Sequence, residues 1–166
     1  IIAAKTQDFP ILKIKLGCDS QDMDRLIAIR EARPNVRLWV DANAGWKLVE
    51  ACAYLDDLEK LNVELLEQPL DKEDIEGMGS LQSRSQIPIV ADESLQNPDD
   101  IKRVANVGIQ AVNIKLMKVG GISPALMMIS DARRYGLKVM LGCMIETSIG
   151  TTAMAHLASL ADWLDL

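Results

Sequence analysis

The chain has 166 residues, of which 49% are apolar, 25% charged and only 4% aromatic, and its formal net charge is −6. Nucleic-acid binding depends on clustered lysine and arginine, whereas the 18 basic residues of this acidic chain are dispersed, so a polyanionic partner is not expected. No apolar stretch reaches the roughly 20 residues of a membrane-spanning helix, and the values together predict a single globular domain.

Short apolar runs alternate with helical segments along the whole chain. Predicted strands cover residues 11–16, 37–41, 64–67, 87–92, 111–115, 137–142 and 163–166, and predicted helices cover residues 21–33, 47–61, 73–84, 98–107, 120–136 and 149–160. Alternation of this kind is typical of a parallel sheet with crossover helices. The repeat of about 25 residues predicts a (β/α) barrel of the TIM type.

A complete eight-stranded barrel takes about 250 residues. We therefore expect residues 1–166 to form one barrel domain that is truncated at both ends. The polar faces of the strands should point into the barrel mouth, because the helices cover the outside of the sheet and alternate residues of a strand point to opposite faces.

Five charged residues each close one of these apolar runs. Lys15 ends ILKIK, Asp41 ends RLWVD, Glu67 ends ELLE, Asp92 ends IPIVAD, and Lys115 ends AVNIK. Residues at the carboxyl ends of barrel strands form the active sites of this fold. Any single acid could instead cap a helix or form a surface salt bridge, but three in phase, with a lysine on either side, predict a functional site.

The three carboxylates predict a metal site. Carboxylates that converge would repel one another and raise each other's pKa, and a divalent cation removes that conflict. Ligation by oxygen alone favours Mg²⁺, with Mn²⁺ as an alternative. Lys13 shares a strand face with Lys15, and nearby like charges lower the pKa of a lysine towards the range of a general base. The alternative is that the two lysines pair with acids.

The three cysteines are widely spaced and form no CxxC pair. This predicts neither a disulfide framework nor a zinc site, and a reducing, cytoplasmic location is therefore expected. Cys143, at the end of the predicted strand 137–142, is expected to border the substrate pocket, although a nucleophilic role would need a nearby base.

Six motifs occur in a characteristic order: KIK, DANAGW, EQPL, ADES, NIKLMKVGGI and GCMIETSIG. Together they resemble the enolase superfamily, within it the muconate-lactonizing subgroup, and most closely the dipeptide epimerases. The resemblance covers nearly the whole chain. It implies a (β/α)7β barrel domain of which this chain carries strands two to eight, without the first strand and the N-terminal capping domain.

The resemblance also implies a role for individual residues. Asp41, Glu67 and Asp92 match the Mg²⁺ ligands. Lys15 and Lys115 match two acid/base lysines on opposite faces of the substrate α-carbon, and Lys13 matches a lysine that assists them. Further matches are Asn43 and Glu93 near the metal, Glu146 in the substrate pocket, and Asp165, which would bind the ammonium group of a dipeptide.

The implied function is Mg²⁺-dependent epimerisation of a dipeptide of the L-Ala-D/L-Glu type, through α-proton abstraction and an enolate intermediate. The substrate would be a small carboxylate, and the complete protein would be a homo-oligomer. Alternatives within the subgroup are muconate cycloisomerisation, o-succinylbenzoate synthesis and N-acylamino-acid racemisation; Asp165 favours a substrate that carries an ammonium group. A Schiff-base aldolase using Lys115 and a non-catalytic barrel fragment are alternatives from other classes.

Overall fold

A computed structural model describes residues 5–166 and contains a parallel sheet whose strands pair in chain order. The strands are β1 (Ile11–Lys15), β2 (Arg37–Asp41), β3 (Val63–Glu67), β4 (Ile89–Ala91), β5 (Ala111–Ile114), β6 (Lys138–Gly142) and β7 (Trp163–Asp165). All seven predicted strands are confirmed, with bounds that differ by at most a few residues. Lys115, which was predicted to end a strand, lies one residue beyond β5.

Helices connect the strands, as the alternating pattern predicts. They are α1 (Asp22–Ala32), α2 (Leu48–Lys60), α3 (Ile75–Gln82), α4 (Pro98–Asn106), α5 (Leu116–Val119), α6 (Ile122–Arg134) and α7 (Ser148–Ala155), followed by a 3₁₀ helix at Ala158–Leu160. The predicted helix 149–160 is wrong as one element. It ends at Ala155 because the backbone changes there to i→i+3 hydrogen bonds, from Leu157 N–H to the Met154 carbonyl oxygen and from Leu160 N–H to the Leu157 carbonyl oxygen.

The chain divides into two compact units, Ile1–Ile89 and Val90–Leu166. In the described part of the first unit, β1 pairs with β2, and β2 pairs with β3. Leu38 and Val40 of β2 and Leu26 of α1 are fully buried. Burial of each such side chain stabilises the folded state by about 1.5–3 kcal/mol.

In the second unit, β5 pairs with β6, and β6 pairs with β7. Val112 and Val139, which are register partners, are fully buried, and α6 packs against both of their strands. Helix α4 begins with a capping box: the Asn97 side chain accepts a hydrogen bond from Asp99 N–H, and Asp100 accepts from Asn97 N–H. Pro98 at the first helical position already has the φ angle of a helix.

Two loops of the first unit, those after β1 and β2, touch at glycines. A Cβ atom on Gly45 would overlap the carbonyl oxygen of Gly17, and a Cβ atom on Gly17 would overlap that of Ala42. The buried carboxylate of Asp22 fastens the same loops, because it accepts hydrogen bonds from Gly17 N–H (2.7 Å) and Trp46 Nε1–H (2.8 Å). These contacts fix the chain that follows Lys15 and Asp41.

Within residues 5–166, none of the helices combines the length and the apolar character that crossing a membrane requires.

Candidate active site

The first unit brings one lysine and two acids together at the carboxyl ends of its strands. Asp41 of β2 and Glu67 of β3 are register partners, and their exposed fractions are only 2% and 0%. Lys13 Nζ lies 3.1 Å from Asp41 Oδ2 and 2.6 Å from Glu67 Oε2. One ammonium group thus bridges two buried carboxylates. The contacts of Lys13 are therefore those of the alternative given in the sequence analysis, in which the lysine pairs with acids.

Lys15 lies two residues further along β1, in register with Asp41. Because alternate residues of a strand share a face, Lys15 is on the same face as Lys13. Its side chain is exposed, whereas that of Lys13 is half-buried. The strand therefore carries one lysine that contacts the acids and a second that is accessible from solvent.

The second unit builds a comparable cluster around Asp92, the residue that follows β4. Lys115 Nζ lies 2.6 Å from Asp92 Oδ2, and Lys118 Nζ lies 2.5 Å from Asp92 Oδ1. Burial raises the pKa of Asp92, but the charges of Lys118 and Lys115 outweigh it, so the pKa lies below the usual 3.8. The carboxylate is therefore held ionised between two ammonium groups.

Lys118 is a residue of this cluster that the sequence analysis missed. The signal was its spacing: Lys118 follows Lys115 by three residues, and residues three apart lie on one face of a helix. No helix was predicted there, whereas the structure contains the short α5 at Leu116–Val119.

The other predicted site residues lie near these two clusters in sequence. Asn43 has a positive φ of 46°, and its N–H donates to Asp41 Oδ1 at 3.1 Å. Glu93 directly follows Asp92 and is half-buried. The N–H group of Asn43 therefore contacts one of the two buried carboxylates of the first unit.

The three predicted substrate contacts belong to the second unit. Cys143 directly follows β6 and is half-buried, and Asp165 is the register partner of Gly142. Glu146 accepts a hydrogen bond from Met144 N–H at 3.1 Å, within the loop between β6 and α7.

The residues fit a divalent cation by their donor chemistry. In the part of the chain described, no group of three or more acidic, histidine or cysteine side chains is arranged as a metal site. Asp41 and Glu67 nevertheless each place a carboxylate oxygen within 3.1 Å of a positive charge, the Lys13 ammonium group. Oxygen donors of this kind are those that Mg²⁺ prefers.

Comparison with known proteins gives the family. The family described as Enolase C-terminal domain-like matches residues 2–164. The chain belongs to this family. The predicted resemblance to the enolase superfamily and the predicted fold class, part of a TIM-type barrel domain, are both confirmed.

Three similar proteins illustrate the relationship. An L-Ala-D/L-amino acid epimerase from Maribacter sp. is 40% identical over 98% of this chain and 47% of its own length. A dipeptide epimerase from Cytophaga hutchinsonii, whose structure contains Mg and the dipeptide D-Ala-L-Val, is 32% identical, with a TM-score of 0.92 over 99% of this chain and 48% of its own. An N-succinyl Arg/Lys racemase from Bacillus cereus is 31% identical, with a TM-score of 0.94 over 99% and 47%.

The chain thus spans about half the length of the relatives that it matches. These relatives are epimerases and racemases, which are isomerases, as the sequence analysis predicted for this family.

Proposed function

We propose that this protein epimerises a dipeptide of the L-Ala-D/L-Glu type by removing and returning the α-proton of one residue. The main support is the similarity to dipeptide epimerases at about 40% identity over nearly the whole chain. The lysine–carboxylate clusters of the two units supply the side chains that this reaction needs. A small carboxylate, rather than nucleic acid or a membrane, is the proposed partner.

Asp41, Glu67 and Asp92 are the proposed ligands of Mg²⁺. All three are buried and offer only oxygen donors, which Mg²⁺ prefers. When bound, Mg²⁺ supplies the positive charge that stabilises a substrate carboxylate as it becomes an enolate. We expect Mn²⁺ to replace it, because Mn²⁺ accepts the same donors. Asn43 and Glu93 are proposed to support these ligands, Asn43 through its N–H on Asp41 Oδ1.

Lys15 and Lys115 are the proposed acid/base pair. One Nζ takes the α-proton from one side of the substrate carbon, and the other Nζ returns a proton from the opposite side, which inverts that carbon. Lys13 assists by neutralising Asp41 and Glu67, with which its Nζ is already in contact. Lys115 rests on Asp92 Oδ2 at 2.6 Å and would leave this contact when it transfers a proton.

Substrate recognition is proposed to involve Asp165, Glu146 and Cys143. A carboxylate such as Asp165 would attract the ammonium group of a dipeptide and repel a second carboxylate. We also propose that the complete protein is a homo-oligomer of the cytoplasm.

The test uses the full-length protein in heavy water with L-Ala-L-Glu and Mg²⁺. Lys115→Ala should no longer interconvert the epimers but should still exchange the α-proton of one of them, because Lys15 is intact. Lys15→Ala should exchange the α-proton of the other epimer only. Both are measured by NMR of the recovered dipeptides.

Lys102→Ala, an exposed lysine of α4, is the matched control and should epimerise at the native rate. If either Lys15→Ala or Lys115→Ala interconverted the epimers as fast as the native protein, the two-lysine mechanism would be wrong.

A second candidate is racemisation of an N-acylated amino acid. The similarity in fold to the N-succinyl Arg/Lys racemase favours it, and the proton transfers would be the same. The substrates of the two candidates differ in one group: a dipeptide carries a free ammonium group, whereas an N-acylated amino acid does not. Parallel assays with L-Ala-L-Glu and with N-succinyl-arginine distinguish them, since a higher kcat/KM for the acylated substrate would replace the dipeptide proposal.

A further inference from the structure

Lys118 makes a more complete set of contacts than a surface lysine would. Its side chain is only 8% exposed. Its Nζ donates to Asp92 Oδ1 at 2.5 Å, to the Asp92 carbonyl oxygen at 2.7 Å and to the Asn113 carbonyl oxygen at 3.1 Å. An ammonium group has three N–H donors, so these oxygens match its whole donor capacity.

These contacts join three elements of the second unit. Asp92 follows β4, Asn113 belongs to β5, and Lys118 itself lies in α5. Helix α5 starts at the Lys115 carbonyl oxygen, which accepts hydrogen bonds from Lys118 N–H (3.0 Å) and Val119 N–H (3.1 Å). The side chain of Lys118 therefore ties the carboxylate of Asp92 to the turn that carries Lys115.

The two lysines on Asp92 use different oxygens. Lys118 contacts Oδ1, and Lys115 contacts Oδ2. The ammonium group of Lys118 is also held by two main-chain carbonyl groups, so moving it away from Asp92 would break three hydrogen bonds inside the protein. A lysine held in this way can act as a fixed positive charge, but it cannot easily move to transfer a proton to a substrate.

We infer that Lys118 is a positioning residue, which fixes Asp92 through Oδ1 while Oδ2 contacts Lys115, and which thereby orients Asp92 as a ligand of the proposed divalent cation. This inference rests on the proposed function for the role of the cation, but the fixing of Asp92 by Lys118 is independent of it. Groups that orient a metal ligand typically change metal affinity 10–100-fold when they are removed.

The test is chemical rescue of Lys118→Ala in the full-length protein. Calorimetry should give a Mg²⁺ dissociation constant at least about tenfold above that of the native protein. Added propylammonium should recover most of this loss, because it restores an ammonium group in the vacated space. Propanol of similar size should not restore binding, and Lys102→Ala should bind Mg²⁺ like the native protein.

Two outcomes would overturn the inference. Mg²⁺ affinity in Lys118→Ala that equals the native affinity would show that Asp92 does not need Lys118. Equal rescue by propanol and by propylammonium would show that Lys118 only fills space.

A second readout separates this inference from the proposed function. The amide resonances of Asp92 and Lys115 in a ¹⁵N–¹H NMR spectrum should shift in Lys118→Ala and return with propylammonium, whether or not Mg²⁺ binds. If the native protein bound no Mg²⁺ and exchanged no α-proton, the proposed function would fail, and these resonances alone would decide the role of Lys118. Unchanged resonances would refute it.

Discussion

Asp92 carries a buried charge that two lysines of the second unit balance. It is buried, and the ammonium groups of Lys115 and Lys118 lie within hydrogen-bond distance of its two carboxylate oxygens. Removing one partner of a buried ion pair costs about 3–5 kcal/mol, because the remaining charge stays buried without compensation. Stability and the proposed metal site therefore depend on the same carboxylate.

We predict that Asp92→Asn lowers the free energy of unfolding by about 3 kcal/mol and abolishes both Mg²⁺ binding and epimerisation. Urea unfolding measures the first effect, and calorimetry and the exchange assay measure the others. Asp131→Asn is the control: this residue of α6 is paired with Arg134 at the surface, where such pairs contribute little. Full activity of the native protein in excess chelator would contradict the metal-site proposal.

Asp22 is another buried acid, with a structural role that the sequence analysis did not find. In the sequence, Asp22 is an acid in the first turn of a helix, and acids are common at that position because they interact favourably with the helix dipole. In the structure its carboxylate accepts hydrogen bonds from Gly17 N–H and Trp46 Nε1–H. The contact joins residues far apart in the chain, and hydrophobic periodicity carries no information about such a contact.

We predict that Asp22→Ala lowers the free energy of unfolding by about 2–3 kcal/mol, because the partly buried Gly17 N–H and the buried Trp46 Nε1–H lose their acceptor. Asp24→Ala, an exposed acid in the same turn of α1, should change it by less than about 0.5 kcal/mol. Urea unfolding of both variants provides the comparison. Equal effects would show that the Asp22 contacts do not hold the loops together.

At the scale of elements, the contact between the loops after β1 and β2 limits which residues can replace Gly45. A Cβ atom there would overlap the Gly17 carbonyl oxygen, which is main chain and cannot rotate away. Gly136 differs, because its φ is +74° but no atom lies within 4 Å of its Cβ position. Substitution by alanine therefore meets a steric clash at Gly45 and only conformational strain at Gly136.

We predict that Gly45→Ala lowers the free energy of unfolding by about 3 kcal/mol or more, whereas Gly136→Ala lowers it by only about 1–2 kcal/mol. Thermal or urea unfolding measures both. A smaller loss for Gly45→Ala than for Gly136→Ala would mean that the two loops separate at little cost.

Strands were predicted from sequence more accurately than the connections between them. Asp41 and Glu67 each end an apolar run, and the spacing of the runs predicts that the two acids lie at the same edge of the sheet. In the structure, β2 and β3 are parallel and the two acids are register partners. Helix α5 was missed because its four residues are too short for a helical period to be read. Lys118 was missed with it, since its contacts depend on that one turn.

At the scale of the whole molecule, the strand order has two ends. Within residues 5–166, β1 and β7 are the first and last strands of the sheet, each with one neighbour in the order. An edge strand offers unpaired N–H and C=O groups to another chain, and apolar side chains on it favour association. Leu164 of β7 is such a side chain, with an exposed fraction of 43%.

We therefore predict that residues 1–166 expressed alone associate and lack epimerase activity. Light scattering with size exclusion measures the mass, and the exchange assay with L-Ala-L-Glu measures activity. Leu164→Lys should raise the monomer fraction, because charge on an edge strand opposes pairing with another chain. Leu160→Lys removes an equally exposed leucine from the 3₁₀ helix and should leave the distribution unchanged. If Leu164→Lys and Leu160→Lys raised the monomer fraction equally, association would depend on general surface hydrophobicity rather than on the β7 edge. If residues 1–166 without substitution formed a monodisperse monomer that epimerised the dipeptide, both parts of the prediction would be refuted.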